Sequence, residues 1–416
     1  MQLKTILNRV QKHRSFVYGA VRLAEQGCIA LEVEVRPRAS TRARCSGCGR
    51  PGPGYDTLPT RRFEFVPLWG IPVFLLYAMR RVACARCGVV VETVPWAQGK
   101  HQLTDTYAWF LARWARRLSW KEVAEVFHTS WEKVFRSVEM AVEWGRAQQD
   151  LSAVRAIGID EINWQRGHRY LTLVYQIDEA CRRLLWVGKE RKEKTLLGFF
   201  RWFGAERSAA LQFICSDMWQ PYLKVVAKKA AQAIHVLDRY HIMAKMGKAI
   251  DEVRAKEAKA LAAEGYEPVL KHTRWLLLKR PENLTEKQEP RLAELLQYNL
   301  RTVRAYLLKE DFQFFWGYRS PYWAGQFLDR WCKRTMRSRL EPMKKIARSL
   351  RKHRPLLLNW FRAKGTMSSG TVEGFNNKAK LILRRAYGFR TYRGMEVALY
   401  HGLGALPEPK FTHRFC

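Results

Sequence analysis

The sequence predicts a multidomain α+β fold, and three observations carry that expectation. Two Cys-x2-Cys pairs, Cys45/Cys48 and Cys84/Cys87, sit 36 residues apart in a stretch rich in β-branched and aromatic residues. A pair of capped helical runs follows, and beyond it short apolar runs alternate with helical ones. With 416 residues, 47% of them hydrophobic, the chain has material for several cores. Lys and Arg total 74 against 38 Asp and Glu, a net charge of +36 that fits a polyanionic partner held in a salt-dependent way. An anionic membrane surface is the competing partner. The longest apolar run, residues 66–79, is too short to span a bilayer and holds Pro67 and Pro72. No signal peptide precedes the chain, so the expectation is a soluble cytoplasmic protein.

In order along the chain, residues 15–22 and 28–36 alternate as strands around a Glu-Gln-Gly turn. The Cys pairs come next. Each Cys-x2-Cys brings two thiolates onto one tetrahedral ion, and the glycine after each second cysteine suits the turn. Together Cys45, Cys48, Cys84 and Cys87 predict one structural Zn2+, with residues 61–77 supplying the strands of a zinc ribbon; a cytosolic redox pair is the bland reading. Cys28, Cys181, Cys215, Cys332 and Cys416 are isolated and need no role beyond packing or exposure. From Thr104 the period turns helical. Ser119 with Glu122 forms a capping box, and Thr129-Ser130 caps a second helix over residues 131–142. That is a helix-turn-helix pattern, with Thr129, Ser130, Trp131, Lys133 and Arg136 at the start of the recognition helix.

Residues 154–159, ending at Asp160, then 170–177 and 183–187 read as three strands with short connections. A helix over 193–203, a strand over 209–215 stopping at Asp217, a helix over 218–229 and a strand over 232–237 stopping at Asp238 follow. This order matches a ribonuclease-H-like fold, whose first and fourth strands are neighbours, so Asp160 and Asp217 would converge. The helical run near the C-terminus brings Glu373, with Asn376, Asn377 and Lys380 at i+3, i+4 and i+7 on one polar face. Asp160, Asp217 and Glu373 could then hold two Mg2+ or Mn2+ ions about 4 Å apart for in-line displacement at phosphorus. Glu161 alternates to the opposite strand face and is a weaker ligand candidate. Asp238 serves either as an N-cap or, with His241, as support for the site.

From Asp217 to Glu373 is 373 − 217 = 156 positions, more than a minimal fold needs, so residues 244–363 are expected to be an all-helical insertion. Its aromatic run, Phe312, Phe314, Phe315, Trp316, Tyr318, Tyr322 and Trp323, reads as core before it reads as a base-stacking platform. The domains expected are thus residues 1–99 (strands and zinc ribbon), 100–150 (helix-turn-helix), 151–243 (first part of the catalytic core), 244–363 (insertion) and 364–416 (the Glu-bearing helix and tail).

The segments Ile159-Asp160-Glu161, Gly167-His168-Arg169-Tyr170, Ser216-Asp217-Met218-Trp219-Gln220-Pro221-Tyr222, Leu237-Asp238-Arg239-Tyr240-His241 and Ser369-Gly370-Thr371-Val372-Glu373-Gly374-Phe375-Asn376-Asn377 carry a specific resemblance. With the cysteine finger and the helix-turn-helix, the chain resembles the ISL-three family of bacterial insertion-sequence transposases over essentially its full length. The resemblance implies a DDE catalytic domain with Asp160, Asp217 and Glu373 as the metal-binding triad and Asp238, His241, Asn376 and Asn377 as auxiliaries. Ser369-Gly370 departs from the family pattern, which has Asn before or at the glycine. Further implications are Mg2+-dependent cleavage at terminal inverted repeats, strand transfer into target DNA, and at least a homodimer on DNA. Lys378, Lys380, Arg384, Arg385, Arg390 and Arg393 would hold phosphates beside the site. A zinc-finger regulator without catalysis and a structure-specific nuclease or resolvase on the same fold remain the alternatives.

Overall fold

The computed structural model describes residues 3–25, 29–165, 167, 169–266, 268–363, 370–385 and 389–410. His168, Ser369, Cys28 and Cys416 lie outside them. The chain divides into two compact units, residues 1–149 with 382–416, and residues 150–381.

In the first unit, α1 (Leu3–Val10) precedes β1 (Phe16–Ala24), β2 (Ala30–Pro37), β3 (Gly54–Leu68), β4 (Ile71–Cys84) and β5 (Gly88–Val91). They form one five-stranded sheet in the order β1-β2-β4-β3, with β5 also on β4. β4 alternates, burying Val73, Leu75, Tyr77 and Met79, and fully buried Trp96 packs edge-on against Phe16, Phe63 and Tyr77. The expected ribbon strands are therefore one long hairpin within a larger sheet. It turns at Trp69-Gly70, both at positive φ (53° and 79°).

Three helices follow: α2 (Asp105–Trp114), α3 (Trp120–Val126) and α4 (Trp131–Ala147). The Ser119/Glu122 capping box forms in both directions, Thr104 and Ser130 cap their helices, and His128 at φ 49° makes the turn between α3 and α4. α4 runs past the expected end because Val138, Ala141, Val142 and Gly145 keep helical spacing against the core, and a Cβ on Gly145 would lie 2.7 Å from Leu406. The last described helix, α16 (Tyr392–Leu403), belongs to this unit and not, as expected, to the one that holds residues 151–243. Arg393 pairs with Glu139 and Glu143 of α4, Arg146 stacks over Tyr400, and Arg113 and Arg116 pair with Glu408.

The second unit opens with β6 (Ala156–Gln165), β7 (Arg169–Ile177) and β8 (Arg182–Lys189), an antiparallel meander. Then come α5 (Glu193–Phe203), α6 (Ala205–Ala209), β9 (Phe213–Ser216), α7 (Gln220–Lys229) and β10 (Ile234–Leu237). The sheet order is β10-β9-β6-β7-β8, with β6, β9 and β10 parallel. Ile157, Ile159, Val174 and Ile214 pack against Phe199, Phe203 and Tyr222 from the helices. Two boundaries differ from expectation. Gly204, at φ 89°, ends α5 and starts α6, so β9 begins only at Phe213. β6 continues past Asp160 to Gln165 because its ladder with β7 persists after its pairing with β9 stops at Gly158↔Cys215.

The insertion is α8 (Arg239–Ala263), α9 (Arg274–Leu278), α10 (Gln288–Leu296), α11 (Arg301–Gln313), α12 (Pro321–Met336), α13 (Glu341–Lys352) and α14 (Arg354–Arg362), with no strand among its described residues. The aromatic run divides. Phe312, Phe315 and Trp316 join Trp331 and Phe361 in the core, whereas Phe314, Tyr322 and Trp323 are exposed. α15 (Gly370–Arg385) belongs to this unit as far as Leu381 and to the first unit from Ile382.

Candidate active site and metal centre

Three parallel strands deliver acids to the same edge of the second sheet. Asp217 follows β9, Asp238 follows β10 in register with it, and Asp160 lies on β6 two residues beyond the end of its pairing with β9. All three are buried. Asp160 Oδ1 accepts from the Glu161 N–H (2.8 Å) and Oδ2 from Asn376 Nδ2 (2.6 Å), while Asn376 Oδ1 accepts from the Tyr175 hydroxyl (2.8 Å). Asp238 caps α8, accepting from the N–H groups of Tyr240 and His241, and its other oxygen lies 2.8 Å from His241 Nδ1. His241 Nε2 is in turn 3.9 Å from Asp160 Oδ1. Asp238 is thus both N-cap and clamp on the imidazole.

Burial pushes the Asp160 carboxyl up to about 6; the His241 charge opposes this, and the nearby Asp238 and Asp217 charges add to it. His241 is pushed up to about 9, chiefly by its hydrogen bond to Asp238. Ligand atoms of Asp160, Asp238 and His241 lie within 4.8 Å of one another, a grouping that could hold a metal ion.

Asp217 Oδ1 accepts from the Trp219 N–H (2.9 Å), and its Oδ2 accepts from Arg191 (2.6 Å). Arg191 lies in a polar turn where no periodic pattern marks it. Glu161 lies on the opposite strand face, yet its side chain is only 8% exposed, its Oε1 is 2.8 Å from Arg191 Nε, and it hydrogen-bonds Tyr222. Burial first, then the Asp217 charge, pushes its carboxyl up to about 7.

On α15 the four residues expected on one polar face divide by burial: Asn376 is buried together with Val372 and Ala379, whereas Glu373, Asn377 and Lys380 are exposed. The apolar pair decides the rotation: Val372 sits over Gly158 of β6, where a Cβ would come within 2.3 Å of it. Glu373 therefore lies outside the group formed by Asp160, Asp238 and His241.

In the first unit, the Sγ atoms of Cys45, Cys48, Cys84 and Cys87 also lie within 4.8 Å of one another, and the grouping could hold a metal ion. Cys84 ends β4, and Cys45 bridges Glu92 across the sheet edge. Backbone N–H groups of Arg86 and Cys87 pull the Cys84 thiol down to about 6, which favours the thiolate a metal needs. Cys215 and Cys332 are buried elsewhere, and Cys181 is half-buried.

Of the residues expected at DNA, Trp131 and Arg136 are exposed on α4, Ser130 caps it, and Thr129 is half-buried. Lys133 is instead tied to the buried carboxylate of Glu64 (2.6 Å). Lys378, Lys380, Arg384, Arg385 and Arg390 are exposed, while Arg393 is engaged by its three glutamates, Glu139, Glu143 and Glu396.

The ISL3-type DDE family model, described as "Transposase", matches residues 157–399. The transposase for insertion sequence element IS1001 of Bordetella parapertussis is 29% identical over 363 residues, 86% of this chain and 88% of that protein. The transposase for insertion sequence element IS1557 of Mycobacterium tuberculosis (strain CDC 1551 / Oshkosh) is 33% identical over 385 residues, 86% of this chain and 85% of that protein. The match spans β6 to α16, including the acids at the sheet edge and Asn376 on α15: this chain belongs to the ISL3 family of DDE transposases and is a DNA transposase.

Proposed function

We propose that this transposase binds the terminal inverted repeats of its own insertion sequence, cleaves there, and transfers the freed 3'-hydroxyl to target DNA. The observation that carries this reading is the gathering of buried Asp160 and Asp217 where the parallel strands β6 and β9 part, in a sheet ordered β10-β9-β6-β7-β8 that we read as ribonuclease-H-like. The donor set fits hard divalent cations: carboxylate oxygens dominate, and buried Glu161 Oε1 has no aligned hydrogen-bond donor. Asp160, Asp217 and Glu373 would hold two Mg2+ or Mn2+ ions, which when bound activate the attacking oxygen and stabilise the leaving one. Asn376 keeps the Asp160 carboxylate aimed from below, and Asp238 keeps His241 against it. His241, held by Asp238 beside Asp160, is placed where a DNA phosphate would meet the site.

The four cysteines suit one structural Zn2+, since soft thiolates in two Cys-x2-Cys turns favour that ion. Helix α4, led by Thr129, Ser130, Trp131 and Arg136, is the element we assign to reading the repeats, and Lys378, Lys380, Arg384, Arg385 and Arg390 to holding phosphates. Lys133 and Arg393 act as internal struts. Joining two ends requires at least a homodimer on DNA. No described helix is long and apolar enough to cross a membrane. From its action on DNA we assign the protein to the cytoplasm, associated with the nucleoid when DNA-bound.

The test is strand cleavage of DNA carrying the gene's own flanks, with Mg2+, for wild type, Asp217→Asn and Glu373→Gln. Cleavage at the repeat ends that both substitutions abolish is expected; binding without cleavage, unchanged by either, overturns the catalytic reading. The compact Asp160, Asp238 and His241 grouping favours a second arrangement, in which His241 replaces Glu373 as ligand. Under it, Glu373→Gln stays active and Asp238→Asn does not.

A further inference from the structure

Arg191 enters the site from the turn between β8 and α5 and is the cation on which two buried carboxylates meet. One Nη donates to Asp217 Oδ2 (2.6 Å), and Nε lies 2.8 Å from Glu161 Oε1. The two contacts are unequal. Despite their closeness, Glu161 Oε1 and Arg191 Nε are not aligned as a hydrogen bond, and both are buried without a directed partner. The guanidinium lies 4.5 Å over the Trp219 ring, and Trp219 donates its own N–H to Asp217. About a third of the arginine side chain (30%) faces solvent, so it has a way out along that ring. Asp160, Glu161 and Asp217 bring three carboxylates to this edge, and Arg191 is the permanently charged cation that pairs with two of them. One unit of positive charge serves where a dication would satisfy the carboxylates better.

We infer that Arg191 is a placeholder cation: in the metal-free protein it occupies the gap between Asp217 and Glu161, a divalent ion binds only by displacing it, and Glu161 then becomes a further metal ligand. The inference rests on the reading of Asp217 as a metal ligand. It assigns Glu161 a role that strand alternation argues against. Arg191 bridges the two carboxylates through different nitrogens of its fork, and a divalent ion in its place would draw the same two oxygens together. Trp219 receives the displaced guanidinium on its face.

The experiment is a Mn2+ titration of the full-length, zinc-loaded protein without DNA, with free Mn2+ followed by electron paramagnetic resonance. Wild type, Arg191→Gln, Arg191→Lys, Glu161→Gln and Asp217→Asn are compared, and thermal unfolding verifies that each is folded. Removing a unit charge a few ångströms from the site should tighten Mn2+ binding about ten-fold or more in Arg191→Gln. Arg191→Lys, which keeps the charge but loses the fork that spans both acids, should tighten it less. Glu161→Gln should weaken it several-fold. If Arg191→Gln is folded and binds Mn2+ no more tightly than wild type, the placeholder role is wrong; should that variant not fold, unchanged affinity in Arg191→Lys overturns it equally. Unchanged affinity in Glu161→Gln removes Glu161 as a ligand. If Asp217→Asn abolishes binding while the Arg191 variants leave it unaltered, only this inference fails. If no form binds Mn2+, or Asp217→Asn binds as wild type does, the metal-site reading of Asp217 fails with it.

Discussion

Asn376 couples the site to its support with a single amide. Its Nδ2 restrains the Asp160 carboxylate and its Oδ1 receives the buried Tyr175 hydroxyl, so both ends of the amide are used and neither is exchangeable with water. Asn376→Ala would leave two buried polar groups without partners, and we expect a loss of about 1–3 kcal/mol in denaturant unfolding for each group left unpaired. End cleavage should fall with it, because Asp160 loses the donor that aims it. Asn376→Asp should lose more cleavage than Asn376→Ala per unit of stability lost, since it sets a second carboxylate against Asp160. Equal stability and cleavage in Asn376→Ala and wild type would show that the amide is a bystander.

Elements are positioned by a few close contacts, and α15 on β6 is the clearest. Gly158 leaves room for Val372, and any Cβ there would collide with it at 2.3 Å. Gly158→Ala is expected to destabilise by about 1–3 kcal/mol through overpacking. Val372→Ala in the same chain should recover part of that loss, a non-additivity that a double-mutant cycle in urea measures. The helix α16 supplies a pH dependence in the first unit. Burial, with Arg116 nearby, pulls His401 down to about 3 from its usual 6.5. The unfolded chain therefore binds a proton that the folded chain refuses; this contribution is full above about pH 6.5 and is lost progressively as pH falls toward 3. His401→Gln should flatten the decline of the urea midpoint between pH 7.5 and 5.5, and an undiminished decline would assign it elsewhere, for example to buried His235. At the end of β4, chelation should release about one zinc per chain and lower the melting temperature, and Cys84→Ser should retain none. A metal assay reading zero in wild type would refute that.

For the molecule as a whole, a net charge of +36 dominates any encounter with DNA. Affinity for a repeat-end duplex should fall steeply with salt, by a slope of about 0.9 per phosphate neutralised on a double-logarithmic plot. Replacing both Arg384 and Arg385, exposed at the end of α15, by Ala should reduce that slope by roughly two while leaving unfolding unchanged. A fluorescence anisotropy titration across salt concentrations decides it; an unaltered slope would mean that these arginines face away from the backbone.

By itself the sequence determined what local physics controls. Caps at Ser119 and Ser130, the change of period at Thr104, the two Cys-x2-Cys turns, and acids placed just after short apolar runs all depend on residues a few positions apart. The order of strands and helices in the second unit, and the pairing of β6 with β9, followed from those runs. Only the tertiary structure decided which side chains meet across long separations. Asn376 reaches Asp160 over 216 positions and Arg191 reaches Asp217 over 26; helical spacing singled out Asn376 without its partner, and no local pattern marks Arg191. Helical spacing allowed α15 to turn Glu373 or Val372 inward; the gap at Gly158 selected Val372. The insertion's aromatics were readable as a group, yet whether each is core or surface depended on how helices α11, α12 and α14 pack around Phe312 and Phe315. The helical character of the tail was likewise plain, while its place beside α4 rests on Arg393, Arg146 and Glu408 finding partners that no nearby residue supplies.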